Sequence, residues 1–192
     1  DLPLPEAGSE AIIAAGERHC HELVAYAHSR GIASNFVGSI TDFPKEFAAV
    51  LPATRPVQQL GALTVSPGPG VLPDNPDLVD VAGTILRTIV DTFPEIDSYG
   101  FPVGTEWPSW TDLYASAWQE LNERYNIEEI TSLDAVLQAA AGRTAYTGGA
   151  ERAVLQVKGD LAGLCFLDRL RTDPHILPKT AKPDARLIYY EV

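Results

Sequence analysis

Glu106 is the residue best placed to do chemistry in this chain. It lies in the stretch GFPVGTEWPSW, residues 100 to 110, beside Trp107 and Trp110; the third and last tryptophan, Trp118, follows closely. Apolar walls disfavour an ionised carboxylate and raise its pKa, which makes such a group a usable general acid near neutral pH. An indole also offers a flat face on which a sugar ring can stack. Glycoside hydrolysis in most families needs two carboxyl groups around the scissile bond. The second candidate is Glu191, at the tip of the last strand-like segment. Glu106 and Glu191 are therefore the candidate catalytic pair, with Trp107, Trp110, Asp42, Asn35 and Tyr99 as candidate substrate contacts. A plainer reading of the same residues is a non-catalytic carbohydrate-binding or structural α/β domain, its tryptophans core packing and Glu106 a helix cap. Glu106 is then a favourable charge at the start of a helix that begins near Ser109.

Other constellations point less far. ERHCHEL, residues 17 to 23, brings His19 and His21 close in sequence, but two residues apart on a helix they diverge by about 200 degrees. The pattern is not H-E-x-x-H, so it reads as a solvated helix face without metal. GGAERAVLQVKGDLAGL lacks the GK[ST] ending of a phosphate loop. Gly159 and Gly163 instead allow close packing, and Glu151, Arg152, Lys158 and Asp160 form a charged surface row. There is no G-x-S-x-G elbow, and neither Cys20 nor Cys165 is read as paired with a catalytic base. Both cysteines fall at apolar helical positions and are expected to be buried free thiols. No cofactor or metal is expected.

The elements that would position these residues follow from periodicity and caps. A helix is expected over residues 9 to 30, capped by Ser9, with Ile12, Gly16, Cys20, Leu23, Val24 and Ala27 on its inner face and Gly31 closing it. IASNFVGSI (32 to 40) reads as a strand, and Thr41 or Asp42 as the cap of a short helix to about Val50. QLGALTV (59 to 65) reads as a second strand. Asn75-Pro76 starts a helix to about Thr92, its buried stripe formed by Leu78, Ala82, Ile85, Leu86, Ile89 and Val90. PEIDSYGF is a third strand; helices follow over 111 to 125, 132 to 142 (capped by Thr131 or Ser132) and 149 to 172, and ARLIYYEV is a fourth strand. In the third strand Ser98, Gly100, Pro102 and Gly104 share a face with Glu106, and Tyr99, Phe101 and Val103 share the other.

Strands alternating with helices imply mostly parallel pairing, hence an α/β class. No G-x-G-x-x-G turn follows a strand, which disfavours a dinucleotide-binding sheet and favours a (β/α) barrel arrangement. About four strands are expected where a full barrel has eight, so residues 1 to 192 read as a single α/β domain, a segment of a larger barrel. The chain starts at Asp1 and holds no methionine, consistent with an excised or mature segment.

The stretch PEIDSYGFPVGTEW resembles strand four of glycosidase-type (β/α)8 barrels, and HELVAYAHSRGIASNFVGSITDFPKEF is similar to a helix-then-strand portion of such barrels. The resemblance spans roughly residues 10 to 125. It implies a general acid/base role for Glu106 and sugar-stacking walls from Trp107 and Trp110. A nucleophile from a later strand would fall to Glu191, or be replaced by the substrate's own acetamido group.

Composition limits the partners. A net charge of −12, with only 14 Lys and Arg spread along the chain, argues against nucleic acid, which needs clustered cations. An acidic surface also repels anionic lipid, and no apolar run approaches the ~20 residues of a membrane span. A small molecule or oligosaccharide is the expected partner. Composition assigns neither a compartment nor an oligomeric state.

Overall fold

The computed structural model describes residues 8–51, 54–56, 64–68, 71–102, 108–173 and 186–190. Its helices follow local rules closely. The second helix, α2 (Pro76–Thr92), opens with the Asn75 side chain accepting from the Leu78 amide and proline in the first turn. Here the side chain satisfies an N–H that the first helical turn otherwise leaves unpaired. Ser132 caps α4 (Leu133–Ala141) in the same way, through the Ala135 amide. α3 spans Tyr114–Tyr125 and ends on Asn126, which adopts the left-handed backbone that asparagine tolerates at such an end. It is preceded by a 3-10 turn over Pro108–Leu113. α5 (Gly149–Thr172) opens on two glycines with positive φ, Gly148 at its cap and Gly149 as its first residue. α1 covers Ser9–Ser29, with Gly8 rather than Ser9 at its cap position and no side-chain cap.

Strands β1 (Asn35–Val37), β5 (Ser98–Pro102) and β6 (Arg186–Tyr190) form a three-stranded parallel sheet with β5 in the centre. Val37 pairs with Gly100, and Pro102 with Tyr190. The fold is thus of the mixed α/β class. A second sheet departs from simple βα alternation: β2 (Phe43–Pro44), β3 (Arg55–Pro56) and β4 (Thr64–Ser66) pair antiparallel in the order β2-β4-β3. Of the expected strand at 59 to 65, residues 64 and 65 fall in β4, and 59 to 63 lie outside the described residues. The short helix expected before Val50 is a 3-10 turn, Lys45–Ala49, that follows Pro44. Neither Thr41 nor Asp42 caps it. Their amides instead donate to Ser39 Oγ.

The core lies between the bulky face of β5 and the helices. Tyr99 and Phe101 meet Leu78, Leu86 and Val90 of α2 and Phe166 and Leu170 of α5. Alternation predicts this side of β5, and the stripe of α2 is buried as its spacing requires. Within α5, Gly159 and Gly163 are buried where the helix packs among α3, α4 and the 108–113 turn.

α1 meets its expected orientation only in part. Ile12, Leu23 and Cys20 are exposed, and Ala15 is its only buried residue. Of the expected inner face Val24 packs against the core, and a histidine edge joins it. His21 Nδ1 donates to Glu95 Oε1 at 2.5 Å, and its ring lies 5.1 Å from that of Phe93. His28 Nε2 donates to Asp97 Oδ2 at 2.9 Å. Thus ERHCHEL is not simply a solvated face, although His19 is exposed. An apolar stripe fixes that a helix has two faces, but which face meets the domain depends on what the domain offers, and here that is Glu95 and Asp97.

Candidate functional site

Parallel pairing brings the C-terminal ends of β1, β5 and β6 to one edge of the sheet, the edge where α/β folds place ligands. In the sequence, residues 103 to 107 come after β5 and include Glu106 and Trp107, and Glu191 comes after β6. All three lie outside the described residues. Beyond β1, Ser39 forms a polar turn: its Oγ accepts from the Thr41 and Asp42 amides at 3.2 and 3.1 Å. Asp42 is half-buried in that turn, and Thr41 is buried.

The described aromatic candidates do not face this edge as ligand walls. Trp110 is 1% exposed. Its Nε1 donates to the Val71 carbonyl at 2.7 Å, and its ring meets Phe166 edge-on with centroids 5.3 Å apart. No indole face is left for a sugar. Tyr99 is 2% exposed, and its hydroxyl donates to the Phe93 carbonyl at 2.7 Å. Burial, with Glu95 adding to it, pushes the Tyr99 pKa up to about 12. Both residues are core, because a large ring gains more from burial than from a half-exposed stack. Trp118, the other described tryptophan, is also buried and donates to Glu128. Asn35 stands at the opposite, N-terminal end of β1, where its side-chain amide donates to the Ser98 carbonyl at 2.9 Å and to Ser98 Oγ at 3.0 Å.

That N-terminal edge holds a constellation that sequence spacing does not disclose. His28, Ser34 and Asp97 meet there from α1, the β1 approach and the β5 approach. Asp97 Oδ2 accepts from the Ser34 amide at 2.8 Å, from Ser34 Oγ at 3.1 Å and from His28 Nε2 at 2.9 Å. A serine, histidine and aspartate together invite comparison with a nucleophile relay. Such a relay puts serine on one ring nitrogen and aspartate on the other, so that the imidazole passes a proton between them. Here Ser34 Oγ, at 3.2 Å, and Asp97 both address Nε2. The cluster is a staple that joins three segments.

A second polar cluster links α3 and α5. Arg169 Nε and Nη2 clamp the Glu120 carboxylate, with Nε–Oε1 at 2.9 Å. The Arg169 hydrogen bond holds the Glu120 carboxyl below its ordinary range. Cys165 lies beside the same carboxylate. Glu120 is a potential base beside a thiol, which sequence distance conceals: the two residues are 45 positions apart. Yet burial, only partly offset by the Arg169 charge, pushes the Cys165 thiol up to about 11. A thiol is nucleophilic as the thiolate, so Cys165 is inert near neutral pH. Farther along, Asp168 takes bonds from Arg124, Tyr125 and Arg171. On α5 itself, Lys158 lies over the Tyr114 ring at 4.4 Å, and Asp160 accepts from Gln156 at 2.9 Å.

Among the described residues, no group of three or more His, Cys, Asp and Glu is arranged to hold a metal, and no helix is long and apolar enough to cross a membrane. No protein-family model matches the chain, and no curated protein or solved structure matches it either.

Proposed function

We propose that the chain is a non-catalytic, small-ligand-binding or structural α/β domain in which Glu106 serves as a charge at the start of the 108–113 turn. The observation that carries this reading is the internal use of the rings once available to a substrate. Trp110 and Tyr99 spend both their faces and their polar atoms inside the core. Cys165, the thiol beside a base, is held protonated.

Carbohydrate hydrolysis is the second reading, favoured by the sheet. Its strand order β1-β5-β6 follows chain order without reversal, as barrel winding requires. The pairing of Pro102 with Tyr190 supports Glu106 and Glu191 as an acid/base pair at one edge of a partial (β/α) barrel. Trp107 and Asp42 would then be the substrate contacts, and the partner an oligosaccharide.

One experiment separates the two. Wild type and Glu106→Gln are assayed on a panel of aryl glycosides and melted in parallel. The non-catalytic reading expects no turnover by either protein and a slightly lower midpoint for the variant, since a carboxylate in a first helical turn contributes about 0.3–1 kcal/mol. Turnover by wild type that Glu106→Gln abolishes, at unchanged midpoint, would overturn it in favour of hydrolysis.

A further inference from the structure

A cleft of about 90 Å³ opens between α3, α5 and the Leu72–Pro73–Asp74 loop. Leu72, Leu113, Ala162 and Phe166 give it apolar walls, and Asp74 and Arg169 bring opposite charges to it. We propose that this cleft binds a small zwitterion, an α-amino acid of the size of alanine or serine, with its carboxylate on Arg169 and its ammonium group on Asp74.

The two charged groups are available in different ways. Glu120 occupies Arg169 through Nε and one edge of Nη2. Of the five guanidinium N–H donors, about three remain. Glu120 also fixes the plane of the guanidinium, so the free donors are presented in a set direction and little rotamer freedom is lost on binding. Asp74 is exposed and makes no hydrogen bond among the described residues, while its charge acts on Arg169. An arginine fork prefers a planar carboxylate to other acceptors. A simple anion would gain from Arg169 but be repelled by Asp74, and a simple cation the reverse. Only a molecule carrying both charges gains from both.

Size narrows the class further. A cleft of this volume suits a ligand of few non-hydrogen atoms, such as a small amino acid. The apolar walls suit a short aliphatic side chain. The site uses none of the residues of the hydrolytic reading, so it stands or falls independently of that reading.

The test uses the whole chain, titrated with L-alanine while amide chemical shifts are followed, with acetate and ethylamine as single-charge controls. A ligand of this size is expected to saturate with a dissociation constant on the order of 0.1–10 mM. Shifts should centre on Leu113, Ala117 and Ala162. Acetate and ethylamine should bind about tenfold more weakly or worse. Asp74→Asn should lose about tenfold in L-alanine affinity with little change in melting midpoint, because Asp74 is exposed and makes no hydrogen bond among the described residues. Acetate binding as tightly as L-alanine, no saturable shifts with L-alanine, or an unchanged affinity in Asp74→Asn would each overturn the proposal.

Discussion

The indole N–H of Trp110 donates to the backbone carbonyl of Val71 at 2.7 Å, and this bond ties the turn before α3 to the loop before α2. The same ring rests edge-on against Phe166 of α5. One side chain therefore joins three segments that are far apart in sequence. Trp110→Ala should lose about 3–5 kcal/mol of unfolding free energy, as for other large-to-small aromatic core changes. Trp110→Phe should retain most of the packing but leave the Val71 carbonyl unpaired, at a cost of about 1–3 kcal/mol. Urea unfolding of the two variants measures both; a loss below 1 kcal/mol for Trp110→Ala would contradict the core placement.

Acid should weaken the α3–α5 contact. The carboxyls of Glu120 and Asp168 are both lowered on folding. For Glu120 the Arg169 hydrogen bond is the leading cause. For Asp168 partial burial opposes the shift but is outweighed by hydrogen bonds from Tyr125 and Arg171 and the charge of Arg124. A carboxyl lowered in the folded state contributes stability that is present above its unfolded pKa and is lost as pH falls through the folded one. Stability should thus decline from the ordinary carboxylate range downward. Glu120→Gln should be less stable at neutral pH and show a shallower decline, as read by chemical denaturation at stepped pH.

The two thiols should differ sharply. Cys20 is exposed on α1, whereas Cys165 is 3% exposed and held protonated by burial. An Ellman-type thiol reagent at neutral pH should titrate one cysteine quickly in the native protein and the second only on unfolding. Cys20→Ser should abolish the fast phase; a fast phase that survives in this variant would place Cys165 at the surface.

α1 should be the first helix to loosen. Its hold rests on the pairs His21–Glu95 and His28–Asp97, both partly exposed. Partly exposed pairs are worth about 0.2–1 kcal/mol each. The double variant His21→Ala, His28→Ala should speed amide hydrogen exchange within α1 and leave α2 and α5 protected. Uniform acceleration across all helices would show instead that α1 is part of the cooperative core.

Helix caps offer a direct check on local structure. Asn75→Ala removes the acceptor for the Leu78 amide and should cost about 1 kcal/mol, measurable as a lower denaturation midpoint. Asn75→Asp, which keeps an acceptor oxygen there, should restore it.

Much of the architecture is determined by the sequence alone, and the reason is that helices are built from short-range interactions. Asn75-Pro76 and Ser132 mark ends that the structure reproduces, because a cap acts on amides within one turn. The inner face of β5 is readable too, since Tyr99 and Phe101 alternate with small residues. Pairing is a different matter. That β4 joins an antiparallel sheet, while β1, β5 and β6 run parallel, depends on partners tens of residues away, and short strands carry almost no periodic signal. Tertiary structure likewise decided that α1 leaves Ile12, Cys20 and Leu23 exposed, that Trp110 and Tyr99 belong to the core, and that Cys165 meets Glu120 and Arg169. Each of these outcomes depends on which residue of another segment occupies the adjoining space, and a residue's type and its near neighbours do not specify that.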